Sequence, residues 1–237
     1  MTTTAVPEDL HPALWLASQL ARGHSRCIDT GHPILSAQLP GGGWPVGTLI
    51  DLHTQQPGIG EVRLLGPALQ TVATRRVVFL QPPHAPQAIA LAALGLPPSQ
   101  LLWLRSERTA DRLWAAEQVL KSGTCGALLF WQNHMRSESL RRLHIAAQQG
   151  ETLFFQIRPL ADAQDASPAP LRLALRPAAE GLDVEVVKRR GPQCVGRVFI
   201  PMSVGARVHV LPQRDVMHAM PAPTPAPLRD RVVELTL

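Results

Sequence analysis

The sequence of 237 residues contains no tyrosine, only two lysines (Lys121 and Lys188) and three cysteines. Cys27, Cys125 and Cys194 are odd in number, far apart, and lack a CxxC pair or a matching histidine cluster, which argues against a disulfide framework or a structural zinc site. Aromatic residues make up 4% of the chain and charged residues 17%. Stacking platforms for single-stranded nucleic acid are therefore few, and a charge-driven disordered protein is excluded for most of the length. No apolar run approaches the roughly 20 residues of a membrane-spanning helix. The start, MTTTAVPEDL, has neither the basic residues nor the apolar stretch of a signal peptide, so a cytoplasmic location and no membrane partner are expected. What the chain does have is 45% apolar residues, enough for a sizeable core, and 23 Lys+Arg against 18 Asp+Glu, a formal charge of +5. Such an excess permits an anionic partner without requiring one.

The order of elements is informative. Residues 8–22 place Leu14, Trp15, Ala17, Leu20 and Ala21 near one face of a short helix that Gly23 stops. Residues 40–48, PGGGWPVGT, suit neither a helix nor a central strand. From there apolar runs of strand length (49–52, 75–81, 101–105, 125–131, 152–158) alternate with helical patterns (61–74, 87–95, 107–123, 137–150). This alternation predicts an α/β fold of right-handed βαβ units around a mostly parallel sheet. After residue 168 three strands, LRLALR, LDVEVVKRR and GRVFIPM, follow without helices, predicting an antiparallel extension at one sheet edge. From about residue 211 the chain turns Pro- and Ala-rich and reads as an extended linker. The final RVVELTL regains apolar alternation, as a strand docked on the domain or a peptide held out for a partner. The expected organisation is a helical arm at 1–26, a core at 27–203 and a linker with terminal peptide at 204–237.

Ligands of parallel sheets sit beyond the carboxyl ends of the strands. The first such turn is HTQQPGIGEV (53–62), where a phosphate-cradling loop is expected. A Walker A loop, GxxxxGK followed by Ser or Thr, needs two glycines, a lysine for the β/γ-phosphates and a hydroxyl for Mg²⁺. With Gly60 on the second glycine, Gln55 falls on the first, Glu61 on the lysine and Val62 on the hydroxyl. Three of four defining positions are lost, and Glu61 reverses the charge beside a triphosphate. Alternatively, Gly58 and Gly60 shape a turn that never held phosphate. Strand 125–131 ends in Trp131 and Gln132, with no Asp for Mg²⁺, and no nucleophile elbow, HExxH or carboxylate pair is present. No catalytic residue, cofactor or metal is expected. His53, His84 and His134 each follow a predicted strand and either share one cleft or are surface and loop residues.

The segments LPGGGWPVGTLIDL, PGIGEVRLLGPAL, QPPHAP, LWAAEQVLKSG, LRRLHIAAQQG, SPAPLRLAL and VVKRRG occur in the order found in the ImuA family of RecA-like proteins, which is associated with error-prone translesion DNA synthesis in bacteria. The resemblance covers residues 10 to about 202 and implies a RecA-like three-layer fold. It further implies a non-catalytic accessory role in SOS mutagenesis, with ImuB and the error-prone polymerase ImuC as partners, RecA as a further candidate, and action at the nucleoid. Where RecA has its catalytic glutamate, Pro83 stands here; Gln156 is similar in place to the nucleotide-sensing glutamine. The DNA-binding loop would be PLADAQDASPAP (159–170), short and acidic at Asp162 and Asp165. Lys188, Arg189 and Arg190 resemble the basic element at the intersubunit face of RecA filaments, and Trp15 marks a docking helix or one packed on its own domain. With Arg136, Arg141 and Arg142, the 188–190 cluster offers phosphate contacts for weak, salt-sensitive DNA binding.

The cell division inhibitor SulA shares a RecA-like core without a working nucleotide loop, and a SulA-like inhibitor of the tubulin-like division protein is the alternative. An active ATPase or recombinase is the third reading; it needs another cation, such as Arg63, in place of the missing lysine.

Overall fold

A computed structural model describes residues 26–191, 196–202 and 235–236. The arm helix predicted over 8–22, with Trp15, and most of the 204–237 segment lie outside the described residues, as does Cys194. The apolar runs take up the alternation their lengths dictate: β3 (Leu49–Thr54), α2 (Glu61–Val72), β4 (Arg76–Leu80), α3 (Ala88–Ala93), β5 (Leu101–Leu104), α4 (Thr109–Ser122), β6 (Cys125–Trp131), α5 (Ser137–Ala147) and β7 (Leu153–Pro159). β8 (Leu171–Ala178), β9 (Gly181–Lys188) and β10 (Arg197–Pro201) follow with no helix between them, as expected. Ahead of β3 lie β1 (Cys27–Asp29), the single-turn helix α1 (Pro33–Ser36) and β2 (Gly43–Pro45), which sequence patterning does not separate from a loop. β1 and β2 pair antiparallel as a small sheet of their own, so the Gly-rich segment is indeed kept out of the central sheet.

The main sheet has the order β10-β9-β8-β3-β7-β6-β4-β5-β11, where β11 is the two-residue strand Leu235–Thr236. Its centre, β8-β3-β7-β6-β4-β5, is parallel, and β9, β10 and β11 are antiparallel to their neighbours. This is the RecA-like three-layer arrangement. Because a strand sends alternate side chains to opposite faces, Ile50, Leu52, Val77, Phe79, Leu129 and Phe155 meet Leu64, Leu65 and Leu69 of α2. Leu49, Val78, Leu128, Phe130 and Phe154 meet Leu120 of α4 and Leu140 and Leu143 of α5 on the other face. Both faces are covered, so the central strands are mainly apolar and buried, as a parallel sheet requires. At Gly126 the approach is so close that a Cβ would lie 2.3 Å from the Val72 carbonyl oxygen. That glycine lets α2 end against β6.

The α4/α5 face is interrupted at one end. Parity along β3, β7 and β8 puts Asp51, His53, Gln156, Arg158 and Arg172 where further apolar residues would otherwise sit, and all five are buried. Register makes them neighbours: Asp51 lies beside Gln156 on one side and Arg172 on the other, and His53 lies beside Arg158.

Candidate functional site

The loop between β3 and α2 begins at Gln55, whose backbone N–H donates to the Leu175 carbonyl. Gly58 (φ 79°) and Gly60 (φ 116°) adopt left-handed backbone, which their lack of a Cβ permits. These two residues direct their N–H groups toward one point, and that point is filled. Glu61, only 3% exposed, folds its carboxylate back so that Oε1 accepts from Gly58 N at 3.1 Å and Oε2 from Gly60 N at 3.2 Å. Amides converging at a helix N-terminus favour an anion; here the chain supplies its own. The remaining predicted loop residues have other surroundings. Gln55 is exposed, and Val62 is half-buried against the α2-side core.

Two clefts border this loop beyond the strand ends. One, of about 360 Å³, lies between the loop, the QPPHAP segment and α3, and is lined by Ile59, Phe79, Pro83, Leu91, Leu94 and Trp131 among others. Phe79 and Trp131 stack with centroids 6.0 Å apart, making its floor apolar. Pro83 is exposed there and offers no group to orient a water. The second cleft, of about 420 Å³, includes Gln55, Gln81, Arg105, Arg112, Gln132 and Arg158. Arg112 is held by the Ser106 and Glu107 carbonyls and by Gln132 Oε1, at 2.7, 2.9 and 3.1 Å. Gln156 is fully buried and donates to the Gln132 carbonyl at 3.1 Å, so its amide stitches β7 to the end of β6. Arg63 is exposed on the first turn of α2. No group of His, Cys, Asp and Glu fit to hold a metal occurs among the described residues.

The three histidines do not share a cleft. The strand runs two residues further than its apolar pattern indicates, so His53 is on β3 and fully buried, while His84 and His134 are exposed in separate loops. Nor is His53 the surface or loop residue of the other reading. It belongs to the buried polar cluster, which sequence inspection missed. Arg158 grips Asp51 through Nε to Oδ1 at 3.0 Å and Nη2 to Oδ2 at 2.6 Å. Arg172 Nε approaches Oδ2 at 3.6 Å, and its Nη2 donates to the Ala163 carbonyl at 2.9 Å. Burial alone would raise the Asp51 carboxyl, but hydrogen bonds from His53 and Arg158, with the Arg158 charge, bring it down to about 2. Burial lowers Arg172 from its ordinary value. The segment predicted as a DNA-binding loop closes over this cluster: residues 160–164 form a 3-10 turn, Asp162 points inward, and Asp165 stays exposed.

The predicted contact residues are placed as follows. Arg136 precedes α5, and Arg141 and Arg142 lie on its exposed side, Arg142 paired to Glu117 of α4 at 3.1 Å. Lys188 and Arg190 are exposed at the end of β9, and Arg189 donates to the Gln38 carbonyl. Partial burial and then the nearby charges of Arg190 and Lys188 hold His144 of α5 below the usual imidazole range. The described helices include none long and apolar enough to cross a membrane.

No known family model matches the chain. Two curated proteins are similar to part of it. The cell division inhibitor SulA of Edwardsiella piscicida is 29% identical over 98 residues, 40% of this chain and 58% of that protein. SulA of Serratia proteamaculans (strain 568) is 29% identical over 112 residues, 46% of this chain and 66% of that protein. The chain thus spans about three fifths of the length of the curated relatives it matches. Within a RecA-like fold, then, it is similar to SulA over less than half of its own length; neither match is an ImuA protein.

Proposed function

We propose that this chain is a RecA-derived binding protein of the DNA-damage response that does no nucleotide chemistry and acts by contacting other macromolecules. The observation that supports it is the Glu61 carboxylate seated on the Gly58 and Gly60 amides, where a phosphate would need to be. A triphosphate entering this loop would meet a buried negative charge without a lysine beside it, a like-charge penalty of several kcal/mol in a water-poor site. Calorimetry with ATP and Mg²⁺ tests this: no heat of binding is expected, and micromolar affinity would remove the proposal. An ATP-dependent recombinase would need Arg63 to swing inward from solvent, and ATP turnover stimulated by single-stranded DNA would establish it.

The finer reading is an accessory protein of damage-induced error-prone translesion synthesis that acts through ImuB and ImuC. The ordered set of ImuA-like segments along residues 10–202 supports it. Co-purification with tagged ImuB is the test, repeated without 1–22 and separately without 211–237 to locate the contact. The second reading, a SulA-like inhibitor of the tubulin-like division protein, is favoured by the two partial sequence matches. Cell filamentation on overexpression, together with inhibition of division-ring GTPase activity, would decide for it.

A further inference from the structure

The two edges of the main sheet are built differently. β10 begins with Arg197 and ends with Pro201, a charge and a residue that cannot donate to a further strand. Both discourage additional pairing. β5 at the other edge is Leu-Leu-Trp-Leu, without charge, proline or bulge, the kind of edge that adds another strand. It does so here: Leu235 pairs antiparallel with Trp103, and Thr236 with Leu102. The added strand belongs to RVVELTL, whose apolar alternation suits an edge position.

Chain length agrees with an intramolecular contact. The described core ends at Met202, just past β10, and 32 residues separate it from Leu235 at the opposite edge. Eight strand spacings of about 4.8 Å make the sheet about 38 Å wide. A flexible linker of that length has a root-mean-square span of roughly 30 Å, and one rich in proline reaches further. A tether matched to its span holds its peptide at an effective concentration of about a millimolar.

We propose that the outer edge of β5 is a peptide-binding edge that the chain's own C-terminal strand occupies in cis, and that release of this strand opens it to an extended apolar segment. This goes beyond the reading of the nucleotide loop and does not depend on it. Two paired residues contribute only a few backbone hydrogen bonds, each of modest net worth. So short a pairing is weak by itself and can be displaced. With an intrinsic affinity of about 100 µM, a millimolar tether weakens an incoming peptide roughly tenfold.

The test uses full-length chains: wild type and the variants Leu235→Pro and Thr236→Pro, each of which removes one backbone donor from β11. A fluorescein-labelled nonapeptide of residues 229–237 is titrated by anisotropy. At least one variant is expected to bind it about tenfold more tightly than wild type. In that variant, at least one amide of Leu101–Leu104 should exchange hydrogen tenfold faster. Absence of peptide binding to all three chains, or equal binding with unchanged exchange, overturns the proposal. A concentration-dependent dimer of wild type that both substitutions abolish would assign the strand to a second copy and overturn the cis assignment.

Discussion

Replacing Glu61 with glutamine is the most direct probe of the nucleotide loop, because it keeps the shape and removes the charge. In the wild type both carboxylate oxygens accept, from Gly58 N at 3.1 Å and Gly60 N at 3.2 Å, at the first turn of α2 and with the side chain buried. Hydrogen bonds to a charged group contribute about 1.5–3 kcal/mol, neutral ones about 0.5–1.5. Favourable placement at a partly buried helix terminus adds up to ~2 kcal/mol. Glutamine keeps one acceptor, but its amide nitrogen would face a second N–H donor, so one backbone amide loses its partner. The expected net loss is about 2 kcal/mol. With a urea dependence of about 2 kcal/mol per molar, the unfolding midpoint should fall by about 1 M. A shift below about 0.3 M at unchanged slope would show that the carboxylate does not hold the loop, and the argument that the anion position is already taken would go with it.

Other outcomes follow from the same geometry. The triple substitution Gln55→Gly, Glu61→Lys, Val62→Thr recreates GxxxxGKT; calorimetry should then detect Mg-ATP binding, with no turnover because Pro83 supplies no carboxylate. Asp51→Asn leaves Arg158 and Arg172 facing an uncharged amide in a buried site, and urea unfolding should show a loss of about 3–5 kcal/mol. With its carboxyl lowered from 3.8 to about 2, Asp51 contributes about 2 kcal/mol that is fully present above pH 4 and lost as pH falls toward 2. The stability difference between wild type and Asp51→Asn should therefore narrow by about 2 kcal/mol in that window. Gly126→Ala drives a Cβ to 2.3 Å from the Val72 carbonyl and should lower stability by about 3 kcal/mol, read from the thermal midpoint. For single-stranded DNA, neutralising Arg136, Arg141 or Lys188 should weaken binding regardless of sequence and reduce the salt slope by about 0.7 each, measured by anisotropy across a salt series.

The fold was legible because its signals are local. Apolar runs of strand length between helical patterns named the α/β class, the parallel centre and an antiparallel edge extension, which β9 and β10 form beyond the parallel β8. The loss of the nucleotide loop was equally plain, since Gln55, Glu61 and Val62 are wrong in kind at fixed spacing. Short elements such as β1, α1 and β2 escaped because three or four residues carry no periodicity. The strand expected over 49–52 stops two residues short of β3 because polar His53 and Thr54 carry no apolar signal.

Composition, periodicity and motif spacing by themselves determined the chain's class and showed that the residues of phosphate chemistry are missing. Only the tertiary structure decided where Glu61 points, because a side chain's partner depends on backbone dihedrals at Gly58 and Gly60 that spacing does not encode. It alone gathered Asp51, His53, Arg158 and Arg172 into one buried cluster. Strand register, set by pairing between segments about 100 residues apart, is a property of the assembled sheet and of no single segment.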